Sequence, residues 1–197
     1  MTTEVDEQRD TDWSSSDAQD LYLVDRWSSG YFSVGEEGHV LVAPLQEEGP
    51  GISIMKVLEA AKEENLRTPL LLRFQDILRH RVRILNEAFA EAIRDNSYKG
   101  RYRGVFPIKV NQLREVVEEI IDAGEPYDFG LEAGSKPELF AALAIHSDPE
   151  SLIICNGYKD DAFVRLAMIG RKLEKRVVLV AEKLSEVRLF IRIAKEL

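Results

Sequence analysis

The chain has 197 residues, 45% hydrophobic and 31% charged, with a formal net charge of −9; this composition supports a globular fold with a real apolar core. The acidic balance excludes the basic footprint of a nucleic-acid binder and works against attraction to an anionic membrane surface. A single cysteine, Cys155, excludes an internal disulfide framework.

Residues 1–12 are polar and acidic and read as a disordered tail. The opening Met1-Thr2-Thr3-Glu4 lacks the basic and apolar regions of a secretory signal. No apolar run approaches the roughly 18 residues that span a bilayer. The expected compartment is the cytoplasm. From Asp17 to Trp27 the pattern predicts a short helix, with Trp13 and Trp27 anchoring the segment by burial. Tyr31–Val34 and His39–Val42 read as two strands joined through Gly35-Glu36-Glu37-Gly38, a hairpin that must pack on something else to be stable. Pro44 to Gly51 reads as a loop. Ile54, Val57, Leu58 and Ala61 predict a helix running to Asn65.

From residue 69 the pattern becomes regular. Pro69–Phe74 is an apolar run that counts as the first strand of the series, followed by a long helix from Asp76 to Asp95. Val105–Val110 reads as a strand, and Asn111 as the N-cap of a helix that Gly124 closes. Phe129–Ala133 leads into a helix opened by Ser135-Lys-Pro-Glu138, a capping-box pattern. Leu152–Asn156 leads into a helix from Asp160 to Ile169. Arg176–Ala181 leads into a last helix from Ser185, with Val187, Phe190, Ile191 and Ala194 on one face. Strands that are apolar throughout, alternating with helices, define βαβ units and a parallel sheet covered by helices. The fold class is α/β. Two architectures fit: an open doubly wound sheet, or part of a (β/α)8 barrel, which needs about 250 residues. No Gly-x-Gly-x-x-Gly follows a strand, which weakens a dinucleotide site.

Polar groups recur where the strands end, the face at which barrel enzymes build their sites. Lys109, among Phe106, Pro107, Ile108 and Val110, reads either as a desolvated amine able to form a Schiff base with an aldehyde cofactor or as a lysine snorkelling to water. Glu132 either orients a cofactor or pairs with Lys136 or Lys109. Asn156-Gly157-Tyr158-Lys159 and Glu182-Lys183 follow the next two strands. His39, His80 and His146 have no metal-site spacing. Cys155 reads as core, and Arg79–Arg83 as a solvated helix face or a subunit contact.

Gly104-Val-Phe-Pro-Ile-Lys109-Val-Asn-Gln112 resembles the cofactor-lysine segment of biosynthetic arginine decarboxylases, in the alanine-racemase-like group of pyridoxal-phosphate enzymes. Gly130-Leu-Glu-Ala-Gly-Ser-Lys136, Ile154-Cys-Asn-Gly-Tyr-Lys-Asp160 and Leu179-Val-Ala-Glu-Lys183 agree in order and spacing, and Trp27-Ser-x-Gly-Tyr-Phe-x-Val34 resembles the family's entry segment. The resemblance implies a pyridoxal-binding (β/α)8 barrel over residues 66–197, of which this would be the N-terminal half. It implies that residues 13–65, with their hairpin, belong with a β-domain made mainly from later sequence. It further implies that Lys109 carries pyridoxal 5'-phosphate, with Glu132 and Asn156 as cofactor-binding residues. The implied reaction is decarboxylation of L-arginine to agmatine and carbon dioxide on the way to polyamines such as spermidine, with Mg2+ as a further cofactor whose ligands are not visible here. A homo-oligomer of dimers is the expected assembly, and this stretch alone is expected to be inactive. Still open are a sister decarboxylase of ornithine, lysine or diaminopimelate, a racemase, a non-catalytic pyridoxal-phosphate-binding protein, and an α/β module without cofactor.

Overall fold

A computed structural model describes residues 13–197; the tail expected over 1–12 lies outside the described residues. The chain divides into two compact units, Met1–Ile77 and Leu78–Leu197.

In the first unit the single helix expected from Asp17 to Trp27 is two short ones, α1 (Ser15–Leu21) and α2 (Val24–Ser28). Ser14 and Asp17 form a reciprocal capping box that starts α1. The break falls at Leu23, which adopts a left-handed φ of 52°, and the second helix then buries Val24 and Ser28. The tryptophan anchors are corrected: Trp13 and Trp27 are 60% and 58% exposed. Trp27 instead packs at a tilt near Phe32, ring centres 5.5 Å apart, and its indole N–H donates to the Tyr22 carbonyl at 3.1 Å. The hairpin forms as expected, β1 (Phe32–Val34) antiparallel to β2 (Val40–Val42), with Phe32 opposite Val42. A third strand, β3 (Ile52–Ser53), pairs with β2 and supplies the support a lone hairpin lacks. Two residues carry no readable periodicity, so this strand is invisible in the sequence. It runs directly into α3 (Ile54–Glu63).

The apolar run Pro69–Phe74 was expected to take its place with the strands, but it forms none. Apolar content alone does not make a strand; the backbone needs a ladder to join, and Leu71 is 75% exposed.

The second unit begins within the long helix α4 (Gln75–Asp95). Four parallel strands follow: β4 (Val105–Pro107), β5 (Gly130–Ala133), β6 (Leu152–Cys155) and β7 (Arg176–Leu179). They are linked by α5 (Arg114–Gly124), α6 (Lys136–Ile145) and α7 (Asp161–Lys172), and α8 (Leu184–Glu196) follows β7. The spatial order is β4-β5-β6-β7, each strand added on the same side. A doubly wound sheet reverses its order at a switch point; this one does not, which is the progression of a barrel wall.

The core lies on the helix side of the sheet. Leu131, Ala133, Ile153 and Cys155 pack there with Val117, Leu139, Ala142, Phe163 and Ala167. Each large side chain so buried contributes about 1.5–3 kcal/mol. The opposite face is less covered than expected for strands apolar throughout: β6 alternates in burial, and Val178 of β7 is 42% exposed. Gly130 is dictated by close approach, because a Cβ there would stand 2.0 Å from the Leu152 carbonyl oxygen. In α8 the buried residues are Glu186 and Ile193, whereas Val187 and Ile191 of the expected face are exposed. No helix among the described residues is long and apolar enough to cross a membrane.

Candidate functional site

Parallel pairing aligns the strand ends: Pro107 stands beside Glu132, Glu132 beside Ile154, and Cys155 beside Leu179. The segments leaving these strands therefore emerge at one end of the sheet.

Lys109 is not on the strand itself. β4 stops at Pro107, and Ile108–Val110 forms a single 3-10 turn. The turn sends Ile108 into the core at 2% exposure and leaves Val110 69% exposed. Lys109 is exposed as well, so the expected desolvation of its amine is not realised. It has no hydrogen bond or ion pair among the described residues. Asn111 is not the helix cap either: its Oδ1 accepts from the Leu113 N–H at 3.1 Å, a local turn, and Leu113 is the N-cap of α5.

Glu132 is 4% exposed, and its Oε2 has no hydrogen-bond partner among the described residues. Neither lysine considered as its counter-ion takes that role, since Lys136 Nζ binds Asp160 Oδ2 at 2.5 Å. A buried carboxylate oxygen without a donor is costly. Ser135 does cap α6, accepting from the Glu138 N–H. The returning carboxylate of Glu138, however, takes the Gly134 N–H at 2.7 Å, which fixes the turn just after Glu132.

After β6, the Asn156 N–H donates to the Ala133 carbonyl at 3.1 Å, while its half-buried side-chain amide has no partner among the described residues. Gly157 adopts φ +72°, and a Cβ there would meet the Gly134 carbonyl oxygen at 2.7 Å; only glycine fits this crossing. The Gly157 N–H donates to Glu182 Oε1 at 2.7 Å. Tyr158 is 75% exposed, with Lys183 Nζ 3.8 Å over its ring.

Two residues of this end carry a role that spacing did not reveal. Lys159 is 6% exposed and Glu186 4%, with Nζ and Oε2 3.9 Å apart. Burial pushes the Glu186 carboxyl up, but backbone N–H groups of Lys159 and Glu182 and the Lys159 charge outweigh it and hold the group below its usual range. Long charged residues are almost never buried unless paired, and the pairing crosses 27 positions of sequence, so no local pattern announces it.

The remaining candidates are structural. His146 is buried, with Nε2 2.7 Å from Ser151 Oγ. His39 lies 3.6 Å from Glu37, and His80 is buried. Cys155 is core, its thiol pushed up to about 12 by burial. Arg79 is engaged by Glu119 and Asp122 of α5, and Arg83 lies 3.3 Å from Glu87. No group of three or more His, Cys, Asp or Glu side chains among the described residues is arranged to hold a metal.

A free amine at one strand end and an orphaned buried carboxylate at the next suit an aldehyde cofactor with a charged ring. The profile described as "Pyridoxal-dependent decarboxylase, pyridoxal binding domain" matches residues 81–196; the chain belongs to this family. Curated relatives include the biosynthetic arginine decarboxylase of Rhodopirellula baltica, 47% identical over 188 residues, covering 95% of this chain and 28% of the relative. That of Prochlorococcus marinus strain MIT 9313 is 46% identical over 185 residues, covering 94% of this chain and 28% of the relative. Among solved structures, the biosynthetic arginine decarboxylase SpeA from Campylobacter jejuni superposes with a TM-score of 0.81 at 30% identity, covering 89% of this chain and 29% of that one. The chain thus spans little more than a quarter of the length of these relatives.

Proposed function

We propose that this chain forms the pyridoxal-binding part of an arginine decarboxylase, converting L-arginine to agmatine and carbon dioxide. The observation that carries the reading is the pair at adjacent strand ends: among the described residues, an amine, Lys109, with no competing partner, and a buried carboxylate oxygen on Glu132 with no donor. Naming of close relatives as biosynthetic arginine decarboxylases supports the substrate.

Pyridoxal phosphate, when bound, supplies the electron sink that accepts the pair released as the Cα–carboxylate bond breaks. Lys109 is the amine that tethers it, and its exposed turn leaves Nζ free to reach an aldehyde carbon. Glu132 is poised to orient and neutralise a cationic group, because its buried oxygen gains a partner only when one arrives. The amide of Asn156, held beside Gly157, can donate to or accept from the cofactor or the substrate. Residues 66–197 are read as part of the barrel domain and 13–65 as a segment belonging with a second domain. The proposal further places the protein in the cytoplasm as a homo-oligomer of dimers, on a route to polyamines such as spermidine. The magnesium of the family resemblance has no ligand set in these residues and no part in these roles.

The test is carbon dioxide release from L-arginine, L-ornithine and L-lysine by the complete protein supplied with pyridoxal phosphate, with Lys109→Ala as control. Release from arginine, reduced on the order of 10⁴-fold or more in the control, is the expected outcome. Preference for ornithine or lysine moves the protein to a sister branch while keeping the role of Lys109. No release and no cofactor absorbance would overturn the reading.

A further inference from the structure

Around Asn156 the backbone is fixed more completely than its short loop requires. Its own N–H is bound to Ala133. The next residue, Gly157, is held at both polar atoms: its N–H by Glu182 at 2.7 Å and its carbonyl by the Lys159 ammonium. Lys159 in turn is fixed by Glu186, which accepts its backbone N–H at 3.0 Å and faces its ammonium at 3.9 Å. The same carboxylate accepts the N–H groups of Glu182 at 2.8 Å and Lys183 at 3.3 Å. The loops after β6 and β7 are therefore joined through one buried ion pair. The side-chain amide of Asn156 has no partner among the described residues.

We propose that Lys159 and Glu186 are positioning residues, a buried clamp that holds the Asn156 amide in place at the pyridoxal site; this rests on the cofactor-site role of Asn156 in the function proposed above. A buried ion pair is a poor way to gain stability, since apolar residues of similar size do as well or better. What the pair provides is direction: a charged carboxylate collects three N–H groups from two loops, and the ammonium fixes a particular carbonyl. Both side chains are buried, at 6% and 4% exposure, and are spent on each other and on backbone groups. Their effect passes through Gly157 to Asn156, and misplacement by about 1 Å at such a point costs roughly 10²-fold in rate.

The test uses the complete protein with pyridoxal phosphate and the double substitution Lys159→Met with Glu186→Gln, which leaves no bare charge behind and so spares the fold better than either single change. Amide hydrogen exchange is read at Gly157, Lys159, Glu182 and Lys183, against Leu131 and Ile153 as core references. The expected result is exchange about tenfold faster or more at the four amides with the references unchanged, together with a loss of at least about tenfold in kcat/KM. That loss should be non-additive with Asn156→Ala, because both changes act on one amide. Unchanged exchange, parental kcat/KM, or full additivity with Asn156→Ala would each overturn the clamp. If the parent binds the cofactor but releases no carbon dioxide from arginine, the reaction falls. A shifted cofactor absorbance in both the double variant and Asn156→Ala, with the faster exchange, then still supports the clamp.

Discussion

The two ends of the parallel sheet are built from similar residues and treated in opposite ways. Where the strands begin, charges close on one another. Arg101 and Arg103 both reach Asp128, at 3.2 and 3.3 Å, and Arg103 and Arg176 both reach Glu150, at 3.5 and 2.8 Å. The carbonyl of His146 takes the Lys175 ammonium at 2.5 Å. Where the strands finish, the Lys109 amine, the Oε2 of Glu132 and the Asn156 amide have no partners among the described residues, though Lys159 and Glu186 pair nearby. The contrast is one of charges, because the starting end also keeps one neutral buried atom, His146 Nδ1, without a partner among the described residues. In barrels of this kind the starting end serves stability and the finishing end serves chemistry.

The largest effect on stability should come from breaking the closed end. Arg103 has a side chain only 13% exposed and joins two carboxylates. Arg103→Ala should lower unfolding free energy by about 1–3 kcal/mol, measured by urea titration. The loss stays moderate because Arg101 and Arg176 still face the orphaned carboxylates. Cofactor binding should persist in this variant. Loss of cofactor binding at preserved stability would mean that the two ends are not divided as described.

A smaller effect is expected from pH. Burial, with the nearby Lys175 charge, lowers the His146 imidazole from its ordinary value of 6.5. Below pH 6.5 the unfolded chain takes up this proton first, so unfolding is increasingly favoured as pH falls towards the depressed folded value. Above 6.5 the contribution is fully present. The lowered carboxylates, Glu186 among them, start from 4.5 or below, so they act in a lower window. His146→Gln should flatten the slope of stability just below pH 6.5 and leave the acid limb unchanged. An identical slope in the variant would show that the folded ring takes up its proton as readily as the unfolded one.

How far the sequence announces this division depends on the range of the interactions. The βαβ alternation, the helix over Asp76–Asp95 and the strand cores are legible because apolar spacing is local. The cofactor lysine is legible only through a resemblance; its turn and its exposure are not, because one proline-led 3-10 turn follows the same apolar letters as a strand. Glu132 is visible as a strand-end residue, but its isolation emerges only when Lys136 is seen to choose Asp160. The partners of Arg103 lie 25 and 47 positions away, and those of Lys159 and Glu186 across two loops, so no window of sequence contains either. The apolar run at Pro69–Phe74 misleads for the converse reason: its letters suit a strand, while pairing is decided by neighbours that a single segment does not contain.

The smallest expected effect tests the open end directly. If Lys109 is held in reserve, removing its side chain should cost the cofactor-free fold nothing measurable. The residue is exposed, while its neighbour Ile108, at 2% exposure, anchors the turn. Lys109→Ala should therefore change the unfolding free energy by no more than about 0.5 kcal/mol, read from thermal melts without pyridoxal phosphate. With the cofactor present, the parent alone should gain stability, by the free energy of the binding that the substitution removes. A loss above about 1 kcal/mol in the cofactor-free comparison would mean that the amine already has a structural partner. Equal stabilisation of parent and variant by the cofactor would place the tether elsewhere.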